Sequence, residues 1–345
     1  MVHREERSSR SAAHLVVSDL QVTLPRQQSG DQVTVVDDLS LQIDEGEIVG
    51  MVGESGSGKT MTALSVLRLL PKGSRLYGSI RLDGQELTDM SESDLQQVRG
   101  AQVGMIFQEA TAALNPVFTV GAQLRAAIRA HGGVSRRAAR ERSVELLRMV
   151  GLPEPEVRLK QHPHQLSGGM NQRVMIAMAL ASGARLLIAD EPTTSLDVTI
   201  QDEIIRLIER LVEETRIAVL FISHDLGLVS RVCHRVAVMY AGQIVETGPT
   251  RQLMQAPMHP YTRGLLRCVP DLHEVGAVRR GIPGNPPLPG TLGVGCRFRD
   301  RCEFAMATCQ EVQVLEPIEP DHLVRCGRAR ELPAASFVPK EGAVS

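Results

Sequence analysis

The chain of 345 residues contains no tryptophan, and its three tyrosines and six phenylalanines bring the aromatic share to only 3%. A protein that grips single-stranded nucleic acid normally displays stacking rings, and one that grips a duplex displays a basic face. With 38 Lys and Arg against 40 Asp and Glu, and a formal net charge of −2, the composition offers neither. No apolar run approaches the roughly 18 residues that a membrane-spanning helix needs, so none is expected. Residues Met1 to Ala13 mix arginines and glutamates without an apolar centre, which is the pattern of a solvated tail and not of a secretory signal. The six cysteines include no C-x-x-C pair, which argues against a common zinc knuckle. Without a signal segment they indicate a reducing compartment, where disulfides do not persist.

What is present is ample for a core. An apolar share of 43% over this length supports one large domain with an extension, or two domains. Short β-like runs occur at Leu15–Val17, Val33–Val36 and Leu39–Ile43. Ile48–Val52 is continuously apolar, as a strand buried on both faces should be. A helix is expected from Lys59 through Met61, Leu64, Val66, Leu67 and Leu70, stopped by Pro71 and Gly73. Ser79–Leu82 and Val103–Phe107 read as strands. Residues from about Glu109 to Leu180 read as helical, most clearly Arg136 to Val150, capped by Ser135 with Val144, Leu147 and Val150 on one face. Strands at Leu186–Ala189, Ala218–Ile222 and Val236–Met239, with a helix at Ile200–Val212, complete a repeating strand–helix–strand pattern. That pattern implies an α/β fold with a parallel sheet. We place the main domain at 14–255 and an extension at 256–345. The extension opens with Pro257, Pro260 and Pro270 and continues through the extended linker Ile282-Pro-Gly-Asn-Pro-Pro-Leu-Pro-Gly290.

Gly53-Glu-Ser-Gly-Ser-Gly-Lys-Thr60 fits G-x-x-x-x-G-K-[ST] between an expected strand and an expected helix. Glycines Gly53, Gly56 and Gly58 let backbone N–H groups, with Ser55 among them, turn toward phosphate oxygens at a helix N-terminus. Lys59 then reaches the outer phosphates and the Thr60 hydroxyl ligates Mg²⁺. Asp190 ends an apolar strand, where a Mg²⁺ carboxylate belongs, and Glu191 beside it can direct the water that attacks the γ-phosphate. Taken alone, an Asp-Glu pair is more often an ordinary exposed acidic pair. Ser167-Gly168-Gly169 before the apolar stretch Val174–Leu180 forms a second anion-binding helix start, without a lysine. A lone Ser-Gly-Gly is usually a simple cap; its position upstream of Asp190 raises its interest.

These segments, in this order, resemble the nucleotide-binding subunits of ABC transporters over about residues 15–325. Gly53–Thr60 is similar to the Walker A loop, Leu166–Met170 to the signature (with Met170 where Gln is commoner), and Leu186–Glu191 to Walker B with its catalytic glutamate. Gln108 matches the Q-loop, Ser195-Leu-Asp197 the D-loop and His224 the switch histidine. The resemblance implies a P-loop ABC cassette with a parallel-rich core sheet, an antiparallel β subdomain and a helical subdomain at about 109–180. It implies ATP and Mg²⁺, with Glu191, His224 and Gln108 in catalysis and Thr60, Gln108 and Asp190 around the metal. It also implies that two cassettes sandwich two ATP molecules, each held between Lys59 of one chain and Ser167, Gly168, Gly169 and Asp197 of the other. Leu24 stands where the family often stacks an aromatic ring on adenine, which leaves ATP and GTP open. His162-Pro-His-Gln-Leu-Ser-Gly-Gly-Met and His259-Pro-Tyr-Thr-Arg-Gly-Leu-Leu266 sharpen the resemblance to the oligopeptide, dipeptide and nickel importer branch. That branch implies an ATPase at the cytoplasmic face of the cell membrane, two permease subunits, a second and often non-identical ATPase, an extracytoplasmic solute-binding protein and no nucleic acid. Peptide is the expected cargo, with nickel or another small solute as the alternative, and a ribosome- or nucleic-acid-directed ATPase further behind.

Cys296, Cys302, Cys309 and Cys326 are separated by five, six and sixteen residues. This spacing departs from the ferredoxin runs as well as from zinc knuckles and, by itself, leaves metal binding and free thiols open. The resemblance to the peptide-importer branch implies a [4Fe–4S] cluster here, as a structural staple. Cys233 and Cys268 are expected to be packing residues.

Overall fold

The structure, a computed structural model, describes residues 14–26, 31–194, 196–268 and 281–332. The N-terminal tail of residues 1–13, Pro270 and Ser195 lie outside the described residues. Twelve strands are described: β1 (Leu15–Pro25), β2 (Gln32–Ile43), β3 (Ile48–Val52), β4 (Arg75–Leu82), β5 (Gln85–Glu86), β6 (Val103–Ile106), β7 (Leu186–Asp190), β8 (Ala218–Ser223), β9 (Arg235–Tyr240), β10 (Gln243–Pro249), β11 (Glu316–Glu319) and β12 (His322–Val324). β2-β1-β4-β5 is the order of a four-stranded sheet whose last pair is antiparallel.

The chain forms two compact units, each assembled from separated stretches. Among the described residues, the first draws on stretches within 14–18, 40–47 and 79–220, the second on stretches within 19–39, 48–78, 221–268 and 281–332. In the first, the strand order β8-β7-β6 includes the parallel pair β6 and β7, registered Val103 on Leu186 through Ile106 on Ala189. Helices Val120–Arg129, Arg136–Met149 and Gly168–Ala179 accompany it. Each starts on a residue whose side chain accepts a backbone N–H, Thr119 from Ala122, Ser135 from Ala138 and Ser167 from Met170. Such caps satisfy donors that a helix start leaves open. Leu146, Leu147 and Val150 are the buried face of the second helix, while Val144 is only half-buried.

In the second unit the order is β11-β12-β10-β9-β3, parallel between β3 and β9 and antiparallel beyond. All five residues of β3 are buried, which follows from their unbroken apolar run. The extension does not stand apart from this sheet. β12 adds to β10 with Glu246 opposite Val324 and Thr247 opposite Leu323. Glu246 is fully buried and accepts from Met258 N at 2.8 Å, His259 N at 2.9 Å and His322 Nε2 at 2.8 Å, so its charge is compensated on three sides. The helix after the phosphate loop is shorter than expected, Lys59–Val66, because Arg68 takes a left-handed φ of 49° before Pro71 is reached.

Candidate nucleotide site and cysteine centre

β3 delivers Gly53 at its end. A Cβ on Gly53 would stand 2.1 Å from the backbone carbonyl of Met239, so no larger residue fits while β9 keeps its place. Ser55 and Gly56 form the exposed arc of the loop, and Gly58 leads into the helix that Lys59 and Thr60 begin. Lys59 is buried, and its ammonium donates to Gly53 O at 2.8 Å, Glu54 O at 3.1 Å and Ser57 Oγ at 3.4 Å. The loop thus curls around its own cation. Thr60 is exposed in the first turn, and His224 is exposed directly after β8. Leu24 is half-buried near the end of β1.

Glu54, inside the loop, is held by groups that sequence reasoning passed over. Its N–H donates to Tyr261 Oη at 2.9 Å, and its carboxylate receives Arg301 Nη1 at 2.6 Å and Nη2 at 2.9 Å. Tyr261 comes from helix Pro260–Cys268 and Arg301 from the turn between Cys296 and Cys302. The guanidinium lies beside the rings of Tyr240 and Phe298, at 5.7 and 5.8 Å from their centroids. Its bond to Glu54 holds its pKa above the ordinary arginine value, and burial pushes the Tyr261 hydroxyl up. A polar residue in a phosphate loop is the only hint the sequence carried; the partner arginine lies 247 positions away.

In the first unit, Asp190 is buried at the end of β7 and Glu191 follows it. Glu191 takes a left-handed φ of 48°, a strained conformation for a non-glycine residue. Its carboxylate accepts from Gln108 Nε2 at 3.0 Å and Thr194 Oγ1 at 2.9 Å. Gln108 is exposed just beyond β6. Thr194 is a further residue the sequence reading missed. Ser167 and Gly168 are exposed at the start of their helix, whereas Gly169 is buried. A Cβ on Gly169 would come within 2.5 Å of Ile200 Cγ2, so this glycine lets two helices approach. Asp197 is exposed and caps helix Val198–Thr215, accepting from Ile200 N at 3.0 Å. Phe107, Val117 and Phe118 are exposed apolar side chains in this same unit.

Cys296, Cys302, Cys309 and Cys326 line one cavity, with His259, Phe298, Phe304 and Leu332 among its other walls. All four are free thiols. Burial pushes the Cys296 thiol up to about 11, and the neighbouring Cys326, Cys309 and Cys302 add to the shift. Burial raises Cys302 and Cys326 likewise. The four side chains share one cavity, although among the described residues no three His, Cys, Asp or Glu side chains stand in a metal-ligating arrangement. Cys233 is buried against Gly50, as a packing residue should be, but Cys268 is exposed at a helix end, which corrects the expectation for it.

The family pattern of ABC transporters matches residues 36–194, and that of the oligopeptide/dipeptide transporter C-terminal region matches residues 245–309. A putative peptide import ATP-binding protein of Brucella melitensis is 46% identical over 320 residues, covering 92% of this chain and 96% of its own length. The oligopeptide transport ATP-binding protein OppD of Salmonella typhimurium is 46% identical over 312 residues, covering 90% and 92%. Among solved structures, a dimeric post-hydrolysis state of an ATP-binding cassette with ADP and Pi matches with a TM-score of 0.61 and 27% identity, over 69% of this chain and 99% of that one.

Proposed function

Since this chain belongs to the ATP-binding subunits of ABC transporters, in their oligopeptide/dipeptide branch, we propose that its ATP hydrolysis powers the import of peptides. The observation that carries the chemistry is the Gln108–Glu191 hydrogen bond beside the buried Asp190. Glu191 is the general base, oriented by Gln108 and Thr194. Lys59 and the loop from Gly53 to Thr60 hold the phosphates. Thr60, Asp190 and Gln108 are oxygen donors of the kind Mg²⁺ takes, and the ion supplies charge neutralisation to the phosphates. His224 contacts the γ-phosphate.

Residues 14–255 act as the ATPase domain, with a helical subdomain at about 109–180, and 256–345 as its extension. The chain works at the cytoplasmic face of a membrane as one of two cassettes. Ser167, Gly168, Gly169 and Asp197 of each cassette close over the nucleotide of the other. Two permeases complete the motor, with a short permease helix received near Phe107, Val117 and Phe118, whose apolar surface is otherwise costly to expose. An extracytoplasmic binding protein delivers the cargo, and the second cassette is either a non-identical chain or a second copy of this one. A four-thiol donor set suits a [4Fe–4S] cluster, held by Cys296, Cys302, Cys309 and Cys326 as a staple for the extension.

The test is transport. Reconstituted with its permeases and second cassette, the protein should drive ATP-dependent uptake of labelled oligopeptide into vesicles bearing the binding protein. Uptake of a nickel chelate with none of peptide would overturn the cargo assignment. Recovery on ribosomes without permeases would overturn the transport role.

A further inference from the structure

Three of the four cysteines of the extension have an arginine as sequence neighbour, and each of these arginines reaches a carboxylate far back in the chain. Arg297, next to Cys296, pairs with Asp37. Arg325, next to Cys326, donates Nη1 to Asp38 Oδ2 at 2.8 Å. Arg301, next to Cys302, grips Glu54 with both Nη atoms. The first two land on β2, but the third lands on the second residue of the phosphate loop.

We propose that Arg301 is a positioning residue for nucleotide binding: it holds and neutralises Glu54, and through it the cysteine-bearing segment sets the loop's affinity for ATP. The inference rests on reading Gly53–Thr60 as the phosphate loop. A carboxylate in that loop is the wrong charge for a triphosphate. Unpaired, it would repel the ligand that the backbone N–H groups and Lys59 attract. The planar guanidinium cancels it with two parallel bonds, in the geometry that suits a carboxylate best. The pair is no surface ornament, because the Arg301 side chain is only 6% exposed. Arg301 is itself pinned, with Nε on Pro283 O at 2.8 Å and its plane beside Tyr240 and Phe298.

The grip also shapes the loop. Gly53 and Gly56 on either side of Glu54 supply little conformational resistance, so the loop needs outside restraint. Glu54 provides three handles. Its N–H is held by Tyr261, its carbonyl by Lys59 and its carboxylate by Arg301. Two of the three restraining groups come from the C-terminal part of the chain, beyond residue 256.

The experiment measures Mg-ATP affinity with a fluorescent ATP analogue, and KM and kcat for hydrolysis, on the full-length protein. Arg301→Ala should weaken binding and raise KM about tenfold, the scale of one charge-assisted contact, with kcat changed less. Glu54→Gln removes the repulsive charge but leaves the buried guanidinium without its carboxylate, and should weaken binding less than Arg301→Ala does. The Glu54→Gln/Arg301→Ala double variant should recover most of the affinity lost in Arg301→Ala, a rescue that a merely structural arginine would not show. Arg301→Lys keeps the charge without the fork and should fall between, which keeps the test alive where Arg301→Ala does not fold. Wild-type affinity in Arg301→Ala, or a loss that persists undiminished in the double variant, overturns the proposal. Lys59→Ala is the control for the premise: undiminished ATP binding there would remove the phosphate-loop reading itself.

Discussion

Gln108 and Glu191 follow different strands, β6 and β7, 83 positions apart, and their side chains meet at 3.0 Å. Glu191 is further strained into a left-handed backbone conformation and bonded by Thr194. A carboxylate fixed in this way has an orientation to protect. Replacing it by glutamine keeps the shape and removes the base. Glu191→Gln should lower the ATPase rate by ~10²–10⁴ while ATP binding survives. Steady-state hydrolysis and equilibrium binding on the same preparation check this; near-normal turnover would remove Glu191 from the base role.

The exposed helix start at Gly168 gives a test of trans assembly that spares the fold. A Cβ there meets only Leu196 Cδ2, at an ordinary 3.6 Å. An aspartate in the first turn also suits the helix dipole. Gly168→Asp should therefore leave the thermal midpoint unchanged. It would nevertheless set a carboxylate against the γ-phosphate of the opposite cassette, a like-charge contact. In a Glu191→Gln background, ATP should drive dimer formation, and adding Gly168→Asp should abolish it. Size-exclusion chromatography with and without ATP reads the result. Undisturbed dimers would mean that this helix start does not face a nucleotide.

Acid should act on Glu86 in the first unit. Burial alone would raise its pKa, but hydrogen bonds from the Ser79 and Thr88 hydroxyls, the Ile80 N–H and the Arg81 guanidinium bring it down from 4.5 to about 2. The unfolded chain thus takes up this proton first as the pH falls. The stability that the carboxylate contributes is complete above about 4.5 and drains away as the pH drops toward 2. Urea midpoints of wild type and Glu86→Gln should differ at neutral pH and converge in acid. A difference that stays constant with pH would show that the carboxylate's charge is not what stabilises this hairpin.

Much of the site was legible because its signals are local. The run Ile48–Val52 reads as a buried strand and Ser135, ahead of an apolar periodicity, as a candidate cap; the structure has both. The loop from Gly53 and the serine–glycine helix start were readable for the same reason. β2 was harder. Asp37 and Asp38 break its apolar pattern, so it looked like two runs, yet it is one strand. The reason is long-range: the two aspartates pair with Arg297 and Arg325, 260 and 287 positions later. The same blindness hid Arg301 from Glu54. β11 and β12 were missed because strands of four and three residues, one of them carrying a proline, have too little periodicity to register.

The four cysteines pose a question that colour can answer. Burial makes the Cys296, Cys302 and Cys326 thiols reluctant to ionise, Cys296 most visibly, with its pKa pushed up to about 11. Binding a metal requires the thiolate, so a bound cation would have to overcome that cost and offset the mutual repulsion of the thiolates it holds. An iron–sulfur cluster does so with strong visible absorption, whereas zinc is colourless. Protein purified without oxygen should be brown and contain iron and acid-labile sulfide, and Cys302→Ser should lose both. Since Arg301 immediately precedes Cys302, the cluster-free protein should also bind ATP more weakly. Colourless wild type with one zinc per chain would replace iron–sulfur by a structural zinc site, and metal-free wild type of unchanged stability would leave the four side chains as packing.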